Sequence, residues 1–300
     1  MKRRHQKKLG YYMKGLMFPC IRELRPLLGA QDAAIQTNEI ILRNFEEIGM
    51  NHAEGINKYL KTLADKYKIS HGANNFQYVK LKIAEANIIN TFNIIDFFFK
   101  RFSKQIQLYK NISKNEWIDK DKDNEQLDSL NQVVVNLKKE EITKLKKIPE
   151  YHLLDYYRLI RNSIVHISEK NSNKLAKLHT NLIDRYGEHF SEHYGTLPNL
   201  KDQLTYEDYF LYTRAVKYFS NILNDAANLQ YADIVNIALN DTDFLAKLRR
   251  VERVKEKGIR ARRIAYIKGY FRQKHEYGNS KQQQNHFLEA FKDFDSIKWN

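Results

Sequence analysis

The sequence predicts an all-α protein, and three observations lead there. Its 300 residues include only 4 Pro and 11 Gly against 19 Tyr and 16 Phe. Few chain breakers and many long side chains favour helices joined by short loops. Apolar residues recur at three- and four-residue steps over long stretches, whereas no strand-period alternation of useful length and no internal repeat occurs.

Taken in order, residues 38–66 predict one helix, with Ile41, Phe45, Ile48, Ile56, Leu60 and Leu63 at helical steps. His71 to Asn75 is a break. Phe76 to Phe102 predicts a long helix, with Val79, Ile83, Ala86, Asn90, Asn93 and Phe97 moving round one face. Apolar residues cover much of its circumference, which places it centrally in the core. Residues 111–128 are polar and charge-rich and predict a long loop or mobile insertion. Leu130 to Lys147 is a further helix, weakened by Val133, Val134 and Val135. Pro149, with Glu150 behind it, marks the start of a helix over about 150–168. Glu169 to Asn173 interrupts, and residues 174–190 resume helical spacing through Leu175, Leu178, Leu182 and Tyr186. Gly195 to Leu204 reads as a loop. Thr205 and Asp208 have the spacing of a capping box ahead of a helix carrying Phe210, Ala215, Tyr218, Ile222 and Leu223. Shorter helices and a basic segment, 245–274, follow.

The single cysteine, Cys20, excludes an intramolecular disulfide and a cysteine-based zinc site. The basic start is followed by no apolar run of signal-peptide length. The most apolar stretch, Ile88 to Phe102, is interrupted by Asn90, Asn93, Asp96 and Lys100, so no membrane span is expected. The expectation is a cytoplasmic protein. Net charge is +15, unevenly spread: residues 1–26 carry +7 and residues 247–274 carry +10, leaving −2 for everything else. A near-neutral body with two basic ends is suited to phosphate backbones or anionic surfaces. In 245–274, Leu245, Leu248, Val251 and Val254 step by three, with Arg249, Arg250, Arg253, Arg260, Arg262 and Arg263 among the basic residues around and beyond them, and Tyr266, Tyr270 and Phe271 following. This pattern points to RNA contacts.

The densest chemistry lies in Arg161-Asn162-Ser163-Ile164-Val165-His166. An Arg, an amide and a His sit inside an apolar helical segment, where unpaired polar groups cost free energy. Asn162 and His166 are four apart and share a face. Arg161 lies about 140° round an ideal helix from His166, within reach of the same pocket if the helix frays. Two potential cations side by side make sense around an anion: Arg grips phosphate in a fork, and His moves a proton near neutrality. These roles fit RNA cleavage by its own 2′-hydroxyl without a metal. No compact carboxylate cluster of the two-metal kind is present. The structural alternative pairs Arg161 with a surface acid and makes His166 a satisfied core histidine.

The spelling R-N-x-x-x-H in this apolar setting resembles the signature of the HEPN superfamily. The resemblance covers about residues 76–225. It implies a helical bundle, over 71–225, and does not account for 1–70 or 226–300, which read as an N-terminal helical extension and a basic helical C-terminal region. It implies a metal-independent endoribonuclease without cofactors, with Arg161, Asn162 and His166 as catalytic residues. It further implies a homodimer whose two motifs share a cleft, and a role as a toxin or antiviral-defence effector, with an antitoxin or defence-system protein as partner. Some HEPN proteins are inactive or bind nucleotides.

Weaker signals surround the motif. Arg158, three before Arg161, faces either the same anion or Asp155. Tyr156 and Tyr157 either stack on bases or pack in the core. Glu85 lies on the neighbouring long helix. His189 and His193, with Glu188 and Glu192, have metal-ligand spacing but no third ligand, and read as an exposed polar helix. Two other functions are compatible with the sequence: a non-catalytic helical nucleic-acid-binding protein, and a helical scaffold or immunity partner.

Overall fold

The computed structural model describes residues 17–70, 72, 75–166, 170–252 and 259–275. The fold is all-α. Among the described residues there are eleven α-helices, one turn of 3-10 helix (Lys201–Gln203) and a single isolated bridge between Lys120 and Gln126. The helices are α1 Pro19–Met50, α2 Gly55–Tyr67, α3 Phe76–Lys110, α4 Ser129–Val135, α5 Lys139–Leu145, α6 Pro149–Val165, α7 Lys170–Tyr194, α8 Tyr206–Ala227, α9 Tyr231–Asn240, α10 Thr242–Glu252 and α11 Ile259–His275.

Two compact units draw on separate stretches of chain. The first comprises the described parts of Met1–Ile21, Lys104–Trp117 and Asn221–Asn300, the second Arg22–Ser103 and Ile118–Ser220. In the second, α6 packs on α7. Leu153, Leu154, Tyr156, Tyr157 and Ile160 of α6 are buried. Each aliphatic side chain among them contributes about 1.5–3 kcal/mol by leaving water. In the first unit α10 packs on α11. Phe244 and Leu248 of α10 and Ile267 and Phe271 of α11 form their shared core.

Three expectations change. The helix expected over 38–66 is two helices. The chain turns at Asn51–Glu54 and enters α2 through Gly55 at φ +77°. Gly49 packs so closely on Ile56 that a Cβ there would lie 2.6 Å from Ile56 Cγ1. Leu130 to Lys147 likewise splits into α4 and α5, with Asp128 capping α4 by accepting from the Asn131 N–H at 3.0 Å. The long helix α3 is central, but through another stripe. Ile88, Ile95, Phe102 and Tyr109 are buried with Ala84, Phe98, Phe99 and Ile106, whereas Ala86, Asn90, Asn93 and Phe97 are exposed. Bulky side chains at seven-residue steps outweigh a stripe that includes two asparagines.

Other elements follow their local signals. Pro149 occupies the first turn of α6, where its missing N–H costs nothing. The carboxylate of Asp208 accepts from the Thr205 N–H at 2.8 Å, the half of the capping box that Asp208 supplies. Residues 111–128 form a loop, held at Ile118 by Asn136 at the end of α4, whose Oδ1 accepts from the Ile118 N–H and whose Nδ2 donates to the Ile118 carbonyl.

Candidate functional site

Helix α6 carries the motif on its last turn and stops there. His166 leaves the helix in an extended conformation, φ −111° and ψ 95°, while its N–H still donates to the Asn162 carbonyl at 2.8 Å. The β-branched Ile164 and Val165 precede this end, and His166 is exposed. Its imidazole makes no hydrogen bond or ring contact among the described residues, so it is not a satisfied core histidine.

Arg161 and Asn162 are half-buried. Arg161 Nη1 donates to Asn162 Oδ1 at 3.1 Å, and the guanidinium lies 5.0 Å from the ring centroid of Phe92 on α3. Arg161 Nε is buried without a hydrogen-bond partner. Among the described residues no carboxylate forms a salt bridge with Arg161. The structure thus joins Arg161 to Asn162, and neither hydrogen-bonds the His166 side chain.

The turn is held from outside the helix. Lys201 Nζ donates to the Ser163 carbonyl at 2.8 Å, putting a cation on a free carbonyl at the C-terminal end of α6. Lys201 is delivered by the loop between α7 and α8. That loop is fixed by Tyr156 Oη donating to the Asn199 carbonyl at 2.7 Å and His179 Nε2 donating to the Pro198 carbonyl at 2.8 Å. Beneath it lies Asp208, fully buried. Its carboxylate accepts from Tyr157 Oη at 2.9 Å, Asn199 N and Nδ2 at 2.8 Å each, and Thr205 N at 2.8 Å. Burial and the Asp208 charge hold the Tyr157 hydroxyl well above its ordinary pKa, so it stays protonated. Phe92 and Lys201 are the site residues sequence reading missed. Phe92 is one of many aromatic residues on a long helix, Lys201 lies in a loop, and no local spacing ties either to the motif.

The other candidates settle differently. Arg158 donates to Asp155 Oδ1 through Nε at 2.9 Å and Nη2 at 2.6 Å, and lies 3.5 Å from Asp128. Burial works against its charge, but the two carboxylates outweigh burial and raise its pKa further. Tyr156 and Tyr157 are buried and present no face for a base. Glu85 is buried and paired with Lys82 at 2.7 Å. His189 is not on an exposed polar face: its Nε2 pairs with Glu150 Oε1 at 2.8 Å, an oxygen that also accepts from Tyr194 Oη. Its ring stacks on His193 with centroids 4.2 Å apart. Among the described residues no group of three or more His, Cys, Asp or Glu is arranged to hold a metal. A cleft of about 660 Å³ in the same unit lies among α1, α3 and residues 202–207 and includes no motif residue.

In the first unit the basic segment forms α10 and α11. Arg250 and Arg262 are exposed. Arg249, Arg260 and Arg263 lie on these helices, and Arg253 lies outside the described residues. The aromatic residues turn inward: Phe244 meets Tyr270 at 4.2 Å and Tyr266 at 5.5 Å between centroids. Asp241 accepts from Tyr270 Oη and Lys274 Nζ, both at 2.7 Å. Burial pushes its carboxyl up, yet these bonds and the Phe244 N–H prevail and hold it at about 2. Among the described residues no helix is long and apolar enough to cross a membrane. Compared with family models, curated proteins and solved structures, the chain gives no match.

Proposed function

We propose that the protein is a metal-independent endoribonuclease of HEPN type, cleaving RNA through its 2′-hydroxyl in the cytoplasm as a toxin or antiviral-defence effector. The observation that supports this most is Arg161: a half-buried guanidinium on a core helix whose buried Nε has no hydrogen-bond partner and which pairs with no carboxylate among the described residues. Such a group is costly to maintain unless an anion completes it.

In this reading a scissile phosphate sits between Arg161 and His166. The 2′-oxygen bonds to phosphorus as its proton leaves, the P–O5′ bond breaks, and O5′ takes up a proton. His166 performs one of these transfers, as base or as acid. Arg161 stabilises the charge on the phosphorane oxygens. Asn162 positions the substrate, and Lys201 and Phe92 hold the motif turn. The products are a 2′,3′-cyclic phosphate and a 5′-hydroxyl. The resemblance adds a homodimer and an antitoxin or defence-system partner.

A second reading, a helical nucleic-acid-binding protein without chemistry, is favoured by the lack of a hydrogen bond joining Arg161 or Asn162 to the His166 side chain and by exposed Arg250 and Arg262. One experiment separates the two. Purified protein is incubated with end-labelled RNA in excess EDTA, and binding is measured against salt. Fragments with 2′,3′-cyclic phosphate ends support the ribonuclease. Salt-sensitive binding without cleavage supports the second reading. Cleavage that appears only when a divalent ion is restored overturns the metal-independent scheme.

A further inference from the structure

We propose that a pocket between α6 and α7 is a base-recognition subsite that selects a guanosine flanking the cleaved bond. The inference rests on the ribonuclease reading for that placement, while recognition of the base is tested apart from cleavage. On α6 the residues His152, Asp155, Leu159, Asn162 and His166 follow one another at steps of three, four, three and four. Such steps put them along one helix face. The first three line a pocket of about 170 Å³, and the last two belong to the motif. At 1.5 Å per residue, Leu159 precedes His166 by about 10 Å along the helix. A strand that follows this face from the motif reaches the pocket with a neighbouring base.

The pocket has the size and the lining for one flat ring system. Cavities of about 150 Å³ accept benzene, and drug-sized ligands need about 300 Å³ or more. Leu159, Leu178 and Leu182 supply apolar wall. Tyr186 supplies aromatic wall, stacked on His152 with centroids 5.2 Å apart and planes 20° from parallel. The His152 ring is fixed by its Nε2, which donates to the Lys146 carbonyl at 2.8 Å. Bases of single-stranded RNA are read by stacking and by hydrogen bonds to their edges.

Three polar groups of the pocket have bonding capacity left. Asp155 gives Oδ1 to both Arg158 bonds, and its Oδ2 accepts none among the described residues. Asn181 and Arg185 are exposed, and their side chains have no hydrogen-bond or ion-pair partner among the described residues. A carboxylate and a guanidinium lining one small pocket suit guanine. Guanine sets two adjacent donors, N1–H and the N2 amine, next to two adjacent acceptors, O6 and N7. Asp155 accepts from the first pair, and Arg185 forks onto the second. Adenine, cytosine and uracil each bring a single donor group, so none satisfies both. Asn181 adds an amide that donates or accepts at the edge of the ring.

Calorimetric titration of the full chain with the four nucleoside 5′-monophosphates tests recognition. Guanosine monophosphate should bind about tenfold tighter than the other three, or more. Arg185→Ala and Asp155→Asn should each abolish that preference. The ratio between nucleotides is the readout, because changing one charge shifts all four alike. Arg185 is exposed, so its variant should keep the wild-type circular dichroism. Asp155→Asn also loosens Arg158 and is compared at equal folded fraction. End-labelled RNA in EDTA tests placement: cleavage should fall beside guanosines in the wild type and spread over all four nucleotides in Arg185→Ala. Equal affinity for the four monophosphates, a preference unchanged in Arg185→Ala, or wild-type cleavage without regard to guanosine would overturn the proposal, the last while leaving the ribonuclease reading intact. Preferential guanosine monophosphate binding with no cleavage of any RNA would keep the guanine pocket and overturn the ribonuclease reading.

Discussion

The two ends of α6 hold their charged residues differently. In its first turns Glu150 Oε1 accepts from His189 and Tyr194 while its Oε2 is buried without a partner, and Tyr151 Oη donates to Asn131 at 2.6 Å. One turn on, Arg158 is bracketed by Asp155 and Asp128. In the last turn, among the described residues, Arg161 has an aromatic ring, one amide and a buried Nε without a partner, and His166 has its backbone bond to Asn162. Two arginines three residues apart thus separate: Arg158 serves the fold, and Arg161 is held half-buried with capacity to spare. An incomplete group does not mark function by itself, since Glu150 Oε2 is also without a partner; Arg161 differs in being a half-buried cation on the turn that ends at exposed His166.

The sharpest way to break this contrast is at its open end. With the ribonuclease reading, His166→Ala should slow cleavage by about 10²–10⁴-fold, the usual range for losing a general acid or base. Circular dichroism should be unchanged, because the imidazole is exposed. Arg161→Ala should lose a comparable factor, and Arg161→Lys should recover little, since an ammonium does not reproduce the guanidinium fork. Cleavage at the wild-type rate in both Ala variants would strip the open end of its meaning.

The closed network under the motif predicts the largest loss of stability. Asp208→Ala leaves Tyr157, Asn199 and Thr205 donors without an acceptor in the interior, and should cost about 3 kcal/mol or more in urea denaturation. A cost below about 1 kcal/mol would show that the loop carrying Lys201 is not held from below. Arg158→Ala is milder, at about 1–3 kcal/mol, because two partly exposed carboxylates lose one shared cation. It should leave the chemical step alone; a cleavage defect matching that of Arg161→Ala at equal folded fraction would make the two arginines functionally alike.

The smallest effect is a pH dependence in the first unit, where polar groups are again fully engaged. Asp241, held at about 2 against an ordinary 3.8, binds fewer protons folded than unfolded. Its contribution is therefore present above pH 3.8 and lost as pH falls towards 2. Wild type should lose stability through that window more steeply than Asp241→Asn, measured by thermal melts; equal slopes would show that Lys274 and Tyr270 do not stabilise the charged form.

Much of this was legible along the chain. Few breakers, helical periodicity, Pro149 and the Thr205–Asp208 spacing specify an all-α fold and several helix starts, because these are local effects of backbone sterics and capping. The motif's place on a helix, and its nearness to that helix's end, were also readable from Pro149 and the polar stretch after His166. Local spacing did not show which stripe of α3 enters the core, because two stripes compete and only packing against other helices chooses. Nor did it show where 38–66 breaks, a matter of Gly49 and Ile56 meeting after the chain turns.

What tertiary structure alone decided is the state of each polar group. The sequence determined that Arg158, Arg161, Glu150 and His189 exist at helical spacings. Only folding brought Asp128 to Arg158, Phe92 to Arg161, Lys201 to Ser163 and Glu150 to His189, across separations that no periodicity encodes. The physical reason is that helix formation is governed by neighbours three and four residues away, whereas satisfying a buried donor or charge depends on whichever element packs beside it.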